Sequence, residues 1–381
     1  MRILRIADVP DSRDGGMSRA MYGTGDALAN AGHQVDYLFN EHFRSQVPEK
    51  LRRFTVPFRI ATLICLRHRK HPYDVVEIHE PLAATYCIQR RYKKNMPPLT
   101  VFSHGLEERG WKAELEYRKQ KGLQVSLKQR YSPLSVILQA RYAVRHCDQV
   151  VCTNLADLAY LSEANVPETR LSLVHNGIDE DLLAAGKSSQ EETVKRDGLL
   201  FVGSWLVRKG VLDIVPAVST VLNKYRGLTF TVAGSGLDEE SVKREFPESV
   251  RQQITVIPRF SGNKTLISLY QNNSILILPS YFEGQPLVMI EAAAFGMAIV
   301  TTNVCGMIDF VEDGINGLLI NPGDDQALTT RLAELINNQE RVHQIGKKAR
   351  ATAEQHTWTE SARHLLRAYE RAICVAQVEA H

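Results

Sequence analysis

Apolar residues recur along the chain with two periods: short β-branched runs alternate with longer stretches of helical spacing, and glycine or polar loops separate them. Residues 1–7 read as a first strand and residues 8–16 as a polar loop. Ser18–Ala31 reads as a helix with Met21 and Leu28 on its apolar side and a stop at Gly32. His33–Phe39 is the second strand. This order is a βαβ unit, which predicts a parallel sheet with right-handed crossovers. Further strands are predicted at Val75–His79, Thr100–Ser103, Gln149–Cys152 and Leu171–Val174. Helices are expected in the gaps between these strands, the longest of them Ser132–His146, with Ser132 as its N-cap and Pro133 at its first position. Residues 108–131 are highly charged and read equally as loop or helix.

Residues 179–197 are polar and lack a strand signal, so they read as a linker. The pattern then restarts. Gly198–Val202 is a strand, followed by a glycine loop and the helix Val211–Tyr225. Strands follow at Leu228–Ala233, Ile254–Ile257, Ser274–Leu278, Ala298–Thr301 and Gly317–Ile320, and Trp358–Val375 reads as a final helix. The predicted class is α/β, with two Rossmann-like doubly wound lobes facing a central cleft. The first lobe is placed at 1–178 and the second at 198–358. Open α/β sheets bind ligands beyond the carboxyl ends of their strands, so the cleft is the expected site.

The 381 residues are 44% hydrophobic and 23% charged, which excludes a disordered polyampholyte and a disulfide-stapled scaffold. The net charge of +3 is too small to indicate a nucleic-acid protein. Its distribution is uneven: the first 190 residues hold 27 Lys and Arg against 21 Asp and Glu, the remainder 19 against 22. Arg52, Arg53, Arg59, Arg67, Arg69 and Lys70 form one dense spot, and Arg90, Arg91, Lys93 and Lys94 another. These read either as a solvated surface or as a contact for an anionic partner, such as a membrane surface or a phosphorylated substrate. The six cysteines form no CxxC pair, so no zinc or redox motif is indicated and a reducing compartment is expected. Asp8 and Pro10 interrupt what a signal peptide would need as its apolar core. The most apolar stretch, 54–66, is broken by Pro57 and Arg59 and falls short of the ~20 residues of a membrane span. A cytoplasmic protein, peripheral to a membrane at most, is expected.

The most informative segment is Pro279-Ser-Tyr-Phe-Glu-Gly-Gln-Pro-Leu-Val-Met-Ile-Glu-Ala-Ala-Ala-Phe-Gly, which leaves a strand and enters a helix. Glu283 stands on the loop, and Pro286 suits the first helical turn. The N–H groups of Leu287 and Val288 would then point at a ligand, which makes an anion site fit for a diphosphate. Glu291 lies more than a turn deeper, where a carboxylate can accept two hydroxyls, as from a ribose. The spacing of the two glutamates alone favours the plainer reading, a helix-terminal acid and a surface acid.

The surrounding residues resemble the signature of retaining glycosyltransferase family 4 (group 1 glycosyltransferases), whose fold is the two-lobed GT-B. Pro279, Ser280, Glu283, Gly284, Leu287, Glu291, Ala292 and Gly296 match that signature, whereas Gln285-Pro286 and Ala298 depart from it. Gly15-Gly16 resembles the family's glycine pair, Ser103-His104-Gly105 its strand-end histidine, and residues 175–179 its lobe junction. Phe201-Val-Gly-Ser-Trp-Leu-Val-Arg-Lys-Gly resembles its strand–glycine–basic loop, with Ser204 where an Arg is usual.

The resemblance implies transfer of a sugar, with retention, from a nucleotide diphosphate sugar to a glycan or lipid-linked acceptor hydroxyl, as in polysaccharide biosynthesis. A UDP-sugar is the expected donor. Lys209, helped by Arg208, would neutralise the diphosphate, Glu283 would hold sugar hydroxyls, and His104 would meet the sugar's far edge. Gly16, Gly203, Ser204, Gly284, Gln285, Pro286, Leu287, Val288 and Glu291 would bind the donor. No metal or other cofactor and no nucleic-acid partner is expected. The first lobe would bind the acceptor, and the helix 359–381 would return to it. A nucleotide-sugar 2-epimerase of the same shape and a non-catalytic glycan- or partner-binding homologue are the alternatives.

Overall fold

The computed structural model describes residues 1–44, 48–93, 95–188 and 197–379, and their contacts fall into two units. The first unit holds 1–112, 125–177 and 358–381, and the second holds 113–124 and 178–357.

The first unit is built on strands β1 (Arg2–Ile6), β2 (Gln34–Leu38), β3 (Val75–His79), β4 (Leu99–Ser103), β5 (Gln149–Cys152) and β6 (Leu171–Leu173). They pair in parallel in the order β2-β1-β3-β4-β5-β6. The order reverses between β1 and β3, and such a switch point opens a crevice at the strand carboxyl ends. β3 and β4 are buried along their whole length because helices cover both faces of the sheet. One core cluster gathers Leu4, Ile60, Ile78, Tyr86 and Val150. A second gathers Ile3, Val75, Phe102 and Val151 against Leu365, Ala368 and Tyr369 of the terminal helix.

The second unit carries β7 (Gly198–Val202), β8 (Thr229–Ala233), β9 (Ile254–Ile257), β10 (Ile275–Leu278), β11 (Ala298–Thr302) and β12 (Leu318–Ile320). They pair in parallel in the order β12-β11-β10-β7-β8-β9, so the switch point lies between β7 and β10. The helix Val211–Lys224 packs Ile214, Val218 and Leu222 into one core, and Leu287–Ala294 packs Met289, Ile290 and Ala293 into another.

Several expectations need correction. The longest helices are Glu49–Lys70 and Trp358–Glu379, 22 residues each, whereas the helix ending at His146 begins at Leu134. Ser132 ends a separate short helix, Leu127–Tyr131, and Pro133 is the N-cap of the next. Pro57 does not stop Glu49–Lys70. It removes the donor for the Arg53 carbonyl, and the Gln139 side-chain amide donates to that carbonyl instead at 3.4 Å. Residues 107–120 form a helix. Its residues from Ala113 onward group with the second unit, not with 1–178. There Tyr117 stacks on Tyr281 at 3.6 Å between centroids, and Lys121 pairs with buried Asp213 at 2.5 Å. The expected linker 179–197 contains the helix Glu180–Ser188, because Leu182 and Gly186 bury against the second unit. Residues 189–196 of that linker lie outside the described residues, as do 380–381 of the expected terminal helix.

Candidate functional site

The segments that leave β7 and β10 carry most of the expected donor residues, and these strands flank the switch point. After β7, Gly203 takes φ 143°, a value that favours glycine, and its N–H donates to the Ala233 carbonyl at 2.8 Å. The chain then makes a 3₁₀ turn, Val207–Lys209, ahead of the helix Val211–Lys224. Gly210 joins the two in the left-handed region at φ 77°. A Cβ there would stand 2.1 Å from the Pro279 carbonyl oxygen, so glycine alone allows this approach. The Tyr281 N–H donates to the Arg208 carbonyl at 3.2 Å. The basic turn and the Pro279–Glu283 loop are thus tied by their backbones.

That tie brings three predicted charges together. The Lys209 ammonium forms an ion pair with Glu283, and the Arg208 guanidinium lies 3.9 Å from the same carboxylate oxygen. Lys209 and Glu283 are 13% and 12% exposed, whereas Arg208 is 47% exposed, so the first two form a partly desolvated pair beside a solvent-facing cation. Burial works against charge on Glu283, but Lys209 first and then Arg208 and the Ser280 hydroxyl hold its carboxyl below the usual range. Ser204 is exposed.

Pro286 is the N-cap of the helix Leu287–Ala294 rather than its first residue. Leu287 and Val288 open the helix, where N–H groups lack intrahelical acceptors and the dipole favours an anion. Gly284 and Gln285 are held from below by the turn Cys305–Met307. A Cβ on Gly306 would stand 1.7 Å from the Gly284 carbonyl oxygen. Glu291 is buried on the same helix and accepts a 2.6 Å hydrogen bond from the Tyr270 hydroxyl through Oε2.

Gly16 and His104 belong to the first unit. Gly15 is the N-cap of the helix Gly16–Asn30. A Cβ on Gly16 would meet nothing within 4 Å, so packing does not explain the glycine. His104 follows β4, and its Nε2 lies 3.0 Å from Nδ1 of His79. Burial pushes its pKa well down, and the neighbouring His79 adds to that effect.

Two family models match the chain: "Glycosyltransferase Family 4" over residues 14–182 and "Glycosyl transferases group 1" over residues 186–352. The chain belongs to the group 1/family 4 glycosyltransferases. Among solved structures, it resembles sucrose-phosphate synthase of Thermosynechococcus elongatus with a TM-score of 0.78 and 20% identity, covering 97% of this chain and 98% of that one. HepE of Anabaena, solved with UDP and glucose, gives 0.68 and 16%, covering 96% and 98%. The fold is therefore GT-B. Among curated relatives, an uncharacterised glycosyltransferase of Methanocaldococcus jannaschii is 25% identical over 230 residues, 60% of this chain and 61% of that protein. The chain spans about 60% of the length of the first curated relatives it matches.

The family signature did not point to Tyr270 or Gly306, because each acts on the site through a distant contact. The buried residues Glu77 and His79 were also missed, although a signal existed. Two polar residues at a spacing of two, inside the strand Val-Val-Glu-Ile-His, share one face of a sheet buried on both sides.

Proposed function

We propose that this protein transfers a sugar, with retention at the anomeric carbon, from a nucleotide diphosphate sugar to the hydroxyl of a glycan or lipid-linked acceptor. The observation that carries the reading is the Lys209–Glu283 pair beside the open helix end at Leu287, both on loops that flank the switch point of the second unit. A departing diphosphate needs positive charge, and a sugar needs hydroxyl acceptors. The two groups pair with each other in the structure. With donor present, Lys209, Arg208 and the N–H groups of Leu287 and Val288 would take the diphosphate, and Glu283 would accept sugar hydroxyls. Charge from protein groups makes a metal unnecessary in this scheme. Glu291 would bind the ribose, with Tyr270 holding its carboxylate in place. Gly203, Ser204, Gly284 and Gln285 would line the donor. Gly16 leaves open space for ligand at a helix start.

The transition state is oxocarbenium-like, and the leaving phosphate is the proton acceptor on the same face. UDP is the proposed nucleotide, a reading supported by UDP in the related HepE structure. Isothermal titration should show UDP binding more tightly than GDP and ADP, and NMR of the product should show the donor's anomeric configuration kept. An inverted product would overturn retention. Consumption of donor without acceptor would favour the epimerase, and no nucleotide binding at all would favour a non-catalytic homologue.

The acceptor is assigned to the first unit. A cavity of about 200 Å³ there is lined by Glu80, Leu106, Ile137, Arg141 and Tyr160. Burial pushes the Glu80 carboxyl up to about 8, so it can donate a hydrogen bond at neutral pH. Among the described residues no helix is long and apolar enough to cross a membrane. A peripheral contact with an anionic membrane is supported by the helix Glu49–Lys70. It buries Val56, Ile60 and Ile64, yet exposes Leu51, Phe54, Phe58 and Leu66 at 51%, 49%, 63% and 51%. Arg52, Arg53 and Arg59 lie along it, which is the composition of an interfacial helix. The protein is expected to sediment with phosphatidylserine vesicles and to be released by salt. The double variant Phe54→Ser/Phe58→Ser should lose that binding without loss of melting temperature. Equal sedimentation with neutral vesicles would remove the electrostatic part of the proposal.

A further inference from the structure

Arg5 on β1 stands directly opposite Glu77 on β3 in the sheet register. Glu77 Oε1 accepts from Arg5 Nε at 2.7 Å and from His79 Nε2 at 2.8 Å, and Oε2 accepts from the Tyr369 hydroxyl at 2.6 Å. Arg5 also donates to the Met21 carbonyl and the Thr24 hydroxyl. None of Arg5, Glu77, His79 and Tyr369 is more than 1% exposed. The chain of contacts continues outward, from His79 Nδ1 to His104 Nε2 at 3.0 Å. His104 also stacks on His79 and leans on Phe102, with ring centroids 4.9 and 4.7 Å away.

Proton positions follow from this order. Burial opposes charge on Glu77, but three donors, one a guanidinium, keep it ionised and its pKa far down. An ionised carboxylate accepts only, so Nε2 of His79 carries a proton. The reverse tautomer would set a nitrogen lone pair against the carboxylate. Burial keeps His79 from gaining a second proton, and Arg5 works in the same direction, against the pull of Glu77. Its Nδ1 is therefore a lone pair, and His104 must donate to it from Nε2. The Nδ1 of His104 is left bare.

We infer that Glu77 and His79 are positioning residues that hold His104 as a neutral imidazole protonated on Nε2, so that its Nδ1 is a fixed acceptor for a hydroxyl of the donor sugar. The inference rests on the contact of His104 with the sugar's far edge that the family resemblance implies, and so on the proposed transfer. Neutrality matters chemically. An imidazolium at the sugar would oppose the positive charge that builds on the ring in the transition state, whereas a neutral acceptor stabilises it through the hydroxyl. The groups facing the two imidazoles are Glu77 on β3, Arg5 on β1 and, through Glu77, Tyr369 of the terminal helix. Burial, then His79 and Arg5, resist protonation of His104 against the pull of Glu77.

The test is ring-nitrogen NMR of the full chain labelled with ¹⁵N-histidine, from pH 5 to 8, beside the pH profile of donor KM. Wild type should show His104 protonated on Nε2, bare on Nδ1 and without titration, and donor KM should stay flat. His79→Phe keeps a stacking ring but removes the acceptor. His104 should then titrate near the ordinary value of about 6.5, and donor KM should rise about tenfold below it. In His79→Gln, the side-chain carbonyl can accept from His104 while its amide donates to Glu77, so most of the flat profile should return. A wild-type His104 that is protonated on Nδ1 or titrates in this range overturns the inference, even where a variant does not fold. An unchanged profile in His79→Phe overturns the positioning role. Unaltered donor KM in His104→Ala, with the expected wild-type spectrum, overturns instead the sugar contact on which the inference stands.

Discussion

Lys209→Ala is expected to lower kcat/KM for sugar transfer by about 100- to 1,000-fold, the usual loss when one preorganised group at a developing anion is removed. Lys209 is mostly buried and held by its turn, so no solvent cation can occupy the same place at no cost. Arg208 is more exposed and farther from Glu283, and should rescue only part of the loss. Steady-state kinetics with saturating acceptor would measure the drop, and unchanged turnover would end the assignment. Glu283→Gln separates the two halves of the pair. Without the carboxylate Lys209 is released, so free UDP should bind as well or more tightly, while transfer from the UDP-sugar falls. If UDP binding and transfer fall together, Glu283 serves to hold Lys209 rather than the sugar.

Glu77→Gln should destabilise the protein by about 3–5 kcal/mol, because Arg5 would stay charged in the core without its counter-ion. Urea denaturation at pH 7 measures this. The double variant Arg5→Met/Glu77→Leu should recover much of the loss, since two apolar side chains replace two charges. The pH dependence has a definite sign. The folded pKa of Glu77 is depressed below its ordinary value of 4.5. Its stabilisation is therefore fully present above about pH 4.5 and is lost as pH falls toward the folded value. Wild type and Glu77→Gln should differ most at neutral pH and converge below 4.5. A constant difference from pH 7 to 3 would show that the carboxylate charge is not what stabilises the core.

Both results depend on contacts that run far along the chain, and this marks how much could be read beforehand. The alternation of strands and helices was legible, because a parallel sheet buried on both faces requires continuous apolar runs such as Leu199–Val202 and Ile275–Leu278. The glycines after β7 and the segment 279–296 were legible because strand-end turns and helix starts are local features. The helix Glu49–Lys70 was not, since a proline in its interior normally breaks one. The Arg53 carbonyl that the proline leaves without a helical donor accepts instead from Gln139, 86 residues away.

By itself, then, the sequence determined the two-sheet α/β plan, the family signature and the identities of the basic and acidic residues at the donor loops. Each of these follows from residue type and short spacing. Only the tertiary structure decided that Lys209 pairs with Glu283, that Tyr270 takes one oxygen of Glu291, and that Tyr369 locks the carboxylate behind His79 and His104. The reason is that a buried charge or imidazole takes its protonation state from whichever groups the fold sets against it. Glu77 and Tyr369, 292 residues apart, come together only when the sheet and the terminal helix have formed.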